Sequence, residues 1–537
     1  MLHLVVLCVC LLHLSGSAPV VDTKFGKLEG VETSTNYAYY GVPYAQPPVG
    51  ALRWTPPRDP AQWSSVYSAT NIKPGCPQYK CENFNPPLVC PTHVSEDCLY
   101  LNIWAPLGTN ITSSLAVMVY IHGGNFVHMS GGGLLYDGSV LSQKGNVIVV
   151  NVDYRLGALG FLVTGTEDGD AVGNYGILDQ RLALKWVSEN IKAFGGDSSR
   201  VTLFGQSAGA QSAVIHLASE ESSALFRNAI IESSPFSIPY KTHAEALILG
   251  AHLASPLNCT ARDINCLRQK NSVDIAQAQF ISRSKLSSLR YLEEFEPWGP
   301  WVDGVTVKAE PVTAMDKGLF QKKPVMIGTT SEETRLYIYS AWDKPIDTVI
   351  YTAAILATHP NHGVDIMYEY PPDEPQDQRN NLAVVATDFI FGCASRHVTR
   401  KMLEYGVRDV WLYVYDHAFS FPGWGNMTFC QGHVCHGSEV PFVFQSAGRG
   451  GFKYTPDELA LSDLVISYWS NFAKTGDPQG LPGSRDKVKA VPAWPRYDAE
   501  IQQLHWPYQH FQTPKSFVDP NYNGPYCDFW DEVGYDN

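Results

Sequence analysis

Residues 201–218 read Val201-Thr-Leu-Phe-Gly205-Gln-Ser207-Ala-Gly209-Ala-Gln-Ser-Ala-Val-Ile-His-Leu-Ala218, and three local patterns meet within them. Val201 to Phe204 is a short apolar run of the kind found in the middle of a sheet. Gly205-Gln206-Ser207-Ala208-Gly209 then calls for a sharp turn, because the small residues around the serine leave room for a reversal that larger side chains would block. Ala210 to Ala218 continues as a helical run. Strand, turn and helix together set the Ser207 hydroxyl at the tip of the turn, with the Ala208 amide at the helix start beneath any incoming carbonyl. A chain of this length contains G-x-S-x-G by accident roughly 0.2 times at average Gly and Ser frequencies. The strand and helix around the pentapeptide therefore carry most of its meaning.

Further apolar, β-branched runs bounded by turn residues lie at Ala116 to Ile121, Asn146 to Asp153, Ala229 to Ile231, Pro324 to Ile327 and Val410 to Tyr415. Between them runs a helical pattern, Leu178 to Phe194, with Leu178, Leu182, Trp186, Val187, Ile191 and Phe194 on one face before Gly195-Gly196 ends it. Strands alternating with helices predict an α/β fold with a central, mostly parallel sheet flanked by helices. The stretch from about Thr242 to Trp301 lacks strong strands and is rich in Ala, Leu, Ser and charge. It reads as helical insertions above the sheet, where such segments shape a pocket.

A serine hydroxyl is a poor nucleophile at neutral pH; it needs a base within hydrogen-bond reach and a carboxylate to hold that base. Gly328-Thr-Thr-Ser-Glu332-Glu333 places two carboxylates just past a strand end, and His433-Val-Cys-His436 offers two candidate bases. Spacing alone leaves both choices open. Upstream, the run ending at Ile121 leads directly into His122-Gly123-Gly124-Asn125. A glycine loop in that place aims bare N–H groups at a developing oxyanion, so Gly123 and Gly124 join Ala208 as candidate donors.

Five motifs taken in order resemble the type-B carboxylesterase and cholinesterase family of the α/β-hydrolases, over about residues 20 to 505. They are Ser95-Glu-Asp-Cys98-Leu-Tyr-Leu-Asn102, His122-Gly-Gly-Asn125, Asn174-Tyr-Gly-Ile-Leu-Asp-Gln180, Phe204-Gly-Gln-Ser-Ala-Gly209 and His436-Gly-Ser-Glu439. The resemblance implies an α/β-hydrolase fold and a serine carboxylic ester hydrolase, with Ser207 as nucleophile, Glu333 as acid and His436 as base. Glu332 and His433 become the runners-up. It also implies disulfides Cys76–Cys98 and Cys259–Cys266, and by extension Cys393–Cys527, Cys81–Cys90 and Cys430–Cys435. Acyl transfer of this kind uses neither metal nor organic cofactor, and its partner is a small-molecule carboxylic ester. Two departures bear on substrate. Gln206 stands where the family commonly has Glu, and Pro86-Pro-Leu-Val89 lacks the tryptophan that binds quaternary ammonium through its π face in cholinesterases. Both argue against choline esters. The family also includes members that keep the fold without the nucleophile, so a catalytically silent adhesion or scaffold protein is the competing expectation.

Composition limits the remaining classes. A formal charge of -14 disfavours nucleic acid, whose affinity comes from Lys and Arg on phosphates. Residues 1–18 carry an apolar run from Leu4 to Leu12 followed by small residues, which reads as a signal peptide too short to span a bilayer; a buried N-terminal strand is the alternative. Removing it leaves ten of the twelve cysteines, an even number suited to a disulfide framework. Sequons at Asn110, Asn258 and Asn426 fit passage through an oxidising compartment. Residues 19–537 are expected to form a single secreted, glycosylated α/β-hydrolase domain with no membrane span. Cys430, His433, Cys435 and His436 are spaced too tightly for the usual zinc-finger patterns, so no metal site is expected.

Overall fold

The computed structural model describes residues 18–282, 292, 295–373, 377–480, 489–498 and 505–535. The leader-like residues 1–17 lie outside them. In chain order the strands are β1 (Val20–Thr23), β2 (Gly26–Glu29), β3 (Val31–Glu32), β4 (Asn36–Pro43), β5 (Tyr67–Ser68), β6 (Tyr100–Pro106) and β7 (Leu115–Ile121). They continue with β8 (Ile148–Val152), β9 (Gly196–Gln206), β10 (Asn228–Glu232), β11 (Val325–Thr330), β12 (Val410–Tyr415), β13 (Pro507–Phe511) and β14 (Phe517–Pro520). Strands β1, β2 and β5 form a small sheet; the other eleven form one large sheet in the order β14-β13-β12-β11-β10-β9-β7-β8-β6-β4-β3. Every pairing from β8 across to β13 is parallel. Antiparallel pairing is confined to the two edges.

The parallel centre follows from the sequence. Strands β7, β8, β10, β11 and β12 are buried along their whole length, and a strand covered on both faces needs a near-continuous apolar run. Alternate side chains feed two cores. Val117, Val119 and Ile121 face one core with Leu203, Ile231 and Ile327, whereas Ala116, Met118 and Tyr120 face the other with Phe204, Ile230 and Met326. Helices Tyr175–Asn190 and Ala208–Ala218 cover the first face through Leu184, Trp186, Val187, Ala213 and Val214. The helix Pro456–Thr475 covers the second through Leu461, Val465, Trp469 and Phe472. A capping box of Thr455 and Glu458 starts that helix, and Gly476 in the left-handed region ends it. This is the α/β-hydrolase architecture that the resemblance implies.

All six runs read as strands are strands, Val410–Tyr415 with the same ends and the other five with shifted ones. Strand β9 begins at Gly196, five residues before the apolar run, because Gly196 pairs with Leu115 at the start of β7. The helix expected over Leu178 to Phe194 begins at Tyr175, and its last turn tightens to a 3-10 helix, Ile191–Phe194, closed by left-handed Gly195. Edge strands β4, β6, β13 and β14 carry Tyr, Asn, Trp, Gln and Pro among their apolar residues, so no clean run announces them. Within the insertion, helices His243–Ala254, Ile264–Arg268 and Ser272–Ser282 are present; positions 283–291, 293 and 294 lie outside the described residues.

Five disulfides join Cys76 to Cys98, Cys81 to Cys90, Cys259 to Cys266, Cys393 to Cys527 and Cys430 to Cys435. The longest loop, 134 residues in sequence, ties the helix Cys393–Glu404 to the C-terminal helix Gly524–Val533. Among the described residues no helix is long and apolar enough to cross a membrane.

Candidate active site

Ser207 lies between β9 and the helix Ala208–Ala218 with φ 59° and ψ -125°, a region that non-glycine residues occupy only under constraint. The constraint is visible on both sides. The Ser207 amide donates to the carbonyl of Glu232 on the next strand (2.9 Å), and the Ser207 carbonyl accepts from Gln211 (2.9 Å). A Cβ on Gly209 would lie 1.9 Å from the Ile121 carbonyl oxygen, so only glycine lets the new helix start against the end of β7. The loop after β7 is equally close. A Cβ on Gly123 would lie 3.0 Å from the Cβ of Ser207, and Gly124 follows with φ 96°.

His122 fixes this glycine loop. It is fully buried, its Nδ1 lies 2.9 Å from the Gly123 carbonyl oxygen, and its own carbonyl accepts from the Tyr154 hydroxyl (3.0 Å). Burial pushes its imidazole down to about 4, so at neutral pH the ring is uncharged and Nδ1–H is the donor to Gly123.

Glu333 and His436, the expected acid and base, meet beside the elbow. Glu333 follows β11, is fully buried, and accepts from the Thr330 amide on one carboxylate oxygen (2.7 Å). Its other oxygen lies 2.5 Å from His436 Nδ1. Spacing left Glu332 and Glu333, and His433 and His436, undivided; the structure sorts them into two pairs. His433 Nδ1 meets Glu332 at 2.9 Å, and the same carboxylate accepts from the Val434 amide (2.8 Å). Of these four residues only His436 lines the cleft with Ser207, and Glu333 is buried behind it.

The far nitrogen of His436 does not point at an empty space. Gln206 Nε2 lies 3.0 Å from His436 Nε2. With the Nδ1 proton directed to Glu333, that amide is the donor and Nε2 the acceptor. Tyr337 lines the same cleft as Ser207 and His436. Beneath the site are two more acids. Burial drives Glu232 up to about 8 against the opposing indole N–H of Trp469 (2.6 Å). Glu439 is raised well above the carboxylate range by burial and by Glu232 and Glu333. Glu232 therefore favours the neutral form at pH 7, which limits the negative charge packed under the elbow.

The sequence profile of the carboxylesterase family matches residues 17–530. The chain belongs to the carboxylesterase family. It is 33% identical to the crystal protein of Dictyostelium discoideum, over 95% of this chain and 90% of that protein. It is 36% identical to the cAMP-regulated D2 protein of the same organism, over 86% and 84%, and 32% identical to neuroligin-2 of Mus musculus, over 96% and 67%. The family match runs past residue 505, where the resemblance read from the sequence ends, and takes in most of the C-terminal helix that carries Cys527.

In this carboxylesterase-family chain the cleft above Ser207 measures about 470 Å³, within the usual range for small-molecule sites. Its walls come from loops far apart in sequence, including Tyr79 and Phe84, the insertion residue Phe280, and Met427 and Phe429. The stretch Pro86 to Val89 has no aromatic residue, but Phe84 stacks on His128 (5.8 Å) and meets Phe280 (5.6 Å), so the wall there is aromatic all the same. No short-range pattern marks these residues, nor Tyr337, nor Glu296. The three sequon asparagines, Asn110, Asn258 and Asn426, are exposed, and Asn426 lies at the cleft itself. Cys430 and Cys435 are bonded to each other, so neither thiolate is available to a metal.

Proposed function

We propose that this protein is a secreted serine hydrolase of carboxylic esters, with Ser207 as nucleophile, His436 as general base and Glu333 as the acid that orients it. The observation that carries the reading is the buried 2.5 Å contact of Glu333 with His436, whose imidazole lines the same cleft as a serine on a constrained turn. His436 takes the Ser207 proton as the hydroxyl attacks the ester carbonyl, and the amides of Gly123, Gly124 and Ala208 hold the oxyanion. The alcohol leaves on the proton returned by His436. Water, deprotonated by the same imidazole, then releases the acid from Ser207, with Glu333 stabilising the imidazolium in both halves. Before attack, the Ser207 hydroxyl has to reach His436 Nε2 and replace the Gln206 amide there. Five disulfides support a secretory route, and the exposed sequons support glycans at Asn110, Asn258 and Asn426. Residues 19–537 are read as one domain, since strands from both ends of the chain share the large sheet.

The test is hydrolysis of short and long acyl p-nitrophenyl esters by the mature protein, beside Ser207→Ala and with an organophosphate label. Turnover and labelling that both vanish with the alanine are expected. A folded protein that neither turns over nor labels would sink the reading. That result would favour a binding protein built on a silent hydrolase site, the second reading, which draws its support from the Gln206 amide on His436.

A further inference from the structure

A second cavity opens beside the cleft and shares Asn125, Phe295 and Tyr337 with it as walls. It is small, about 30 Å³, room for a group of about three heavy atoms. Its lining is apolar except at Asn125, Thr334 and Tyr337, and at one acid, Glu296. Glu296 is 5% exposed. One of its carboxylate oxygens accepts from Gln211 Nε2 (2.9 Å); the other has no partner among the described residues. Glu296 thus brings a carboxyl with spare accepting capacity to the wall of a small space that adjoins the cleft holding Ser207.

We propose that this cavity is a polar-ended subsite, in which Glu296 selects esters whose short acyl group ends in a hydroxyl. The proposal rests on the hydrolase reading above and names its substrate class. The two cavities divide an ester by size: the large cleft takes a bulky alcohol, and the small one takes an acyl chain whose terminal O–H reaches the unpartnered oxygen. A hydroxyl fits better than an ammonium. Lys241 Nζ already donates to the Glu296 carbonyl (2.8 Å), and burial raises the Glu296 carboxyl above its ordinary value. A second cation would meet the first one's charge and pay its own desolvation.

The experiment compares p-nitrophenyl 3-hydroxypropanoate with p-nitrophenyl butyrate, which differ by a hydroxyl in place of a methyl, on the full mature protein. Wild type is expected to favour the hydroxy ester by about 10- to 100-fold in kcat/KM, because the butyrate leaves the buried oxygen unpaired. Glu296→Leu should reverse the order, and Glu296→Gln, which keeps the volume, should fall between. Equal rates in wild type, or a ratio unmoved by Glu296→Leu in a protein that Glu296→Gln shows to fold, would overturn the subsite. Faster turnover of the β-alanine ester than of either would overturn the choice of hydroxyl. Failure of the hydrolase reading is separable: neither ester then turns over, and titration calorimetry of Ser207→Ala with methyl 3-hydroxypropanoate and methyl butyrate judges the subsite alone. Tighter binding of the hydroxy ester upholds it, and equal or undetected binding of both refutes it.

Discussion

Glu333–His436 and Glu332–His433 are built from the same two residue types, on adjacent and near-adjacent positions, and the chain puts them to different uses. The first pair is 0% and 8% exposed at its side chains, and its histidine lines the cleft with Ser207; the second is 32% and 38% exposed. Neighbouring residues leaving a strand point to opposite sides, so the turn after β11 sends Glu333 inward and Glu332 outward. The segment bearing the histidines does the same, held by the bridge between Glu332 and Cys435 and by the Cys430–Cys435 disulfide. The outer pair clasps the two loops together, and the inner pair carries His436 to the cleft. Identical residue types thus take separate roles through burial and direction.

The strongest way to break this comparison is kinetic. Glu333→Gln is expected to lower kcat about 10⁴-fold and His436→Ala at least as much, as for triads in general. Glu332→Gln and His433→Ala should stay within about fivefold, the scale of a half-exposed pair. Comparable losses in both pairs, measured on one ester, would remove the distinction.

A third histidine sharpens the comparison from the side of stability. His397 lies 2.7 Å from Asp316 and 3.5 Å from Asp531, far from any nucleophile, and the two carboxylates raise it to about 9 against its burial. Its folded value is above its unfolded one, so its contribution is complete below about pH 6.5 and fades as pH rises through about 9, by up to about 3 kcal/mol. Urea unfolding at pH 6 and pH 9.5 should show His397→Gln losing most of its stability deficit at the higher pH. A deficit equal at both pH values would count against the ion pairs.

Opening the Cys430–Cys435 loop by a double Cys→Ser change should cost about 2 kcal/mol from the unfolded-state entropy of so short a loop. Because His436 follows directly, kcat should fall as well, while an unchanged kcat would mean that the Glu332 clasp suffices alone. The smallest expected effect is at Gln206. Gln206→Ala frees His436 Nε2 for Ser207, and kcat should rise by about 2- to 10-fold, the worth of one hydrogen bond. A fall would mean that the amide helps to hold the imidazole.

The amino-acid sequence by itself determined the central strands, the elbow at Ser207 and the glycine loop at Gly123 and Gly124. Each of these depends on residues close in the chain: alternation along a strand, small side chains at a turn, glycines where backbones touch. Family resemblance added the disulfide pairs and a preference between the two glutamates and the two histidines. Tertiary structure alone decided that Glu332 and His433 find each other, that Gln206 rests on His436, and that Tyr337 shares the cleft with Ser207. It also brought Glu296 to a cavity beside the nucleophile, and Phe84 and Phe280 to one wall of the cleft. Those contacts join loops separated by tens to hundreds of residues, and which side of a loop faces inward is set by packing against the rest of the chain, where no local pattern records it.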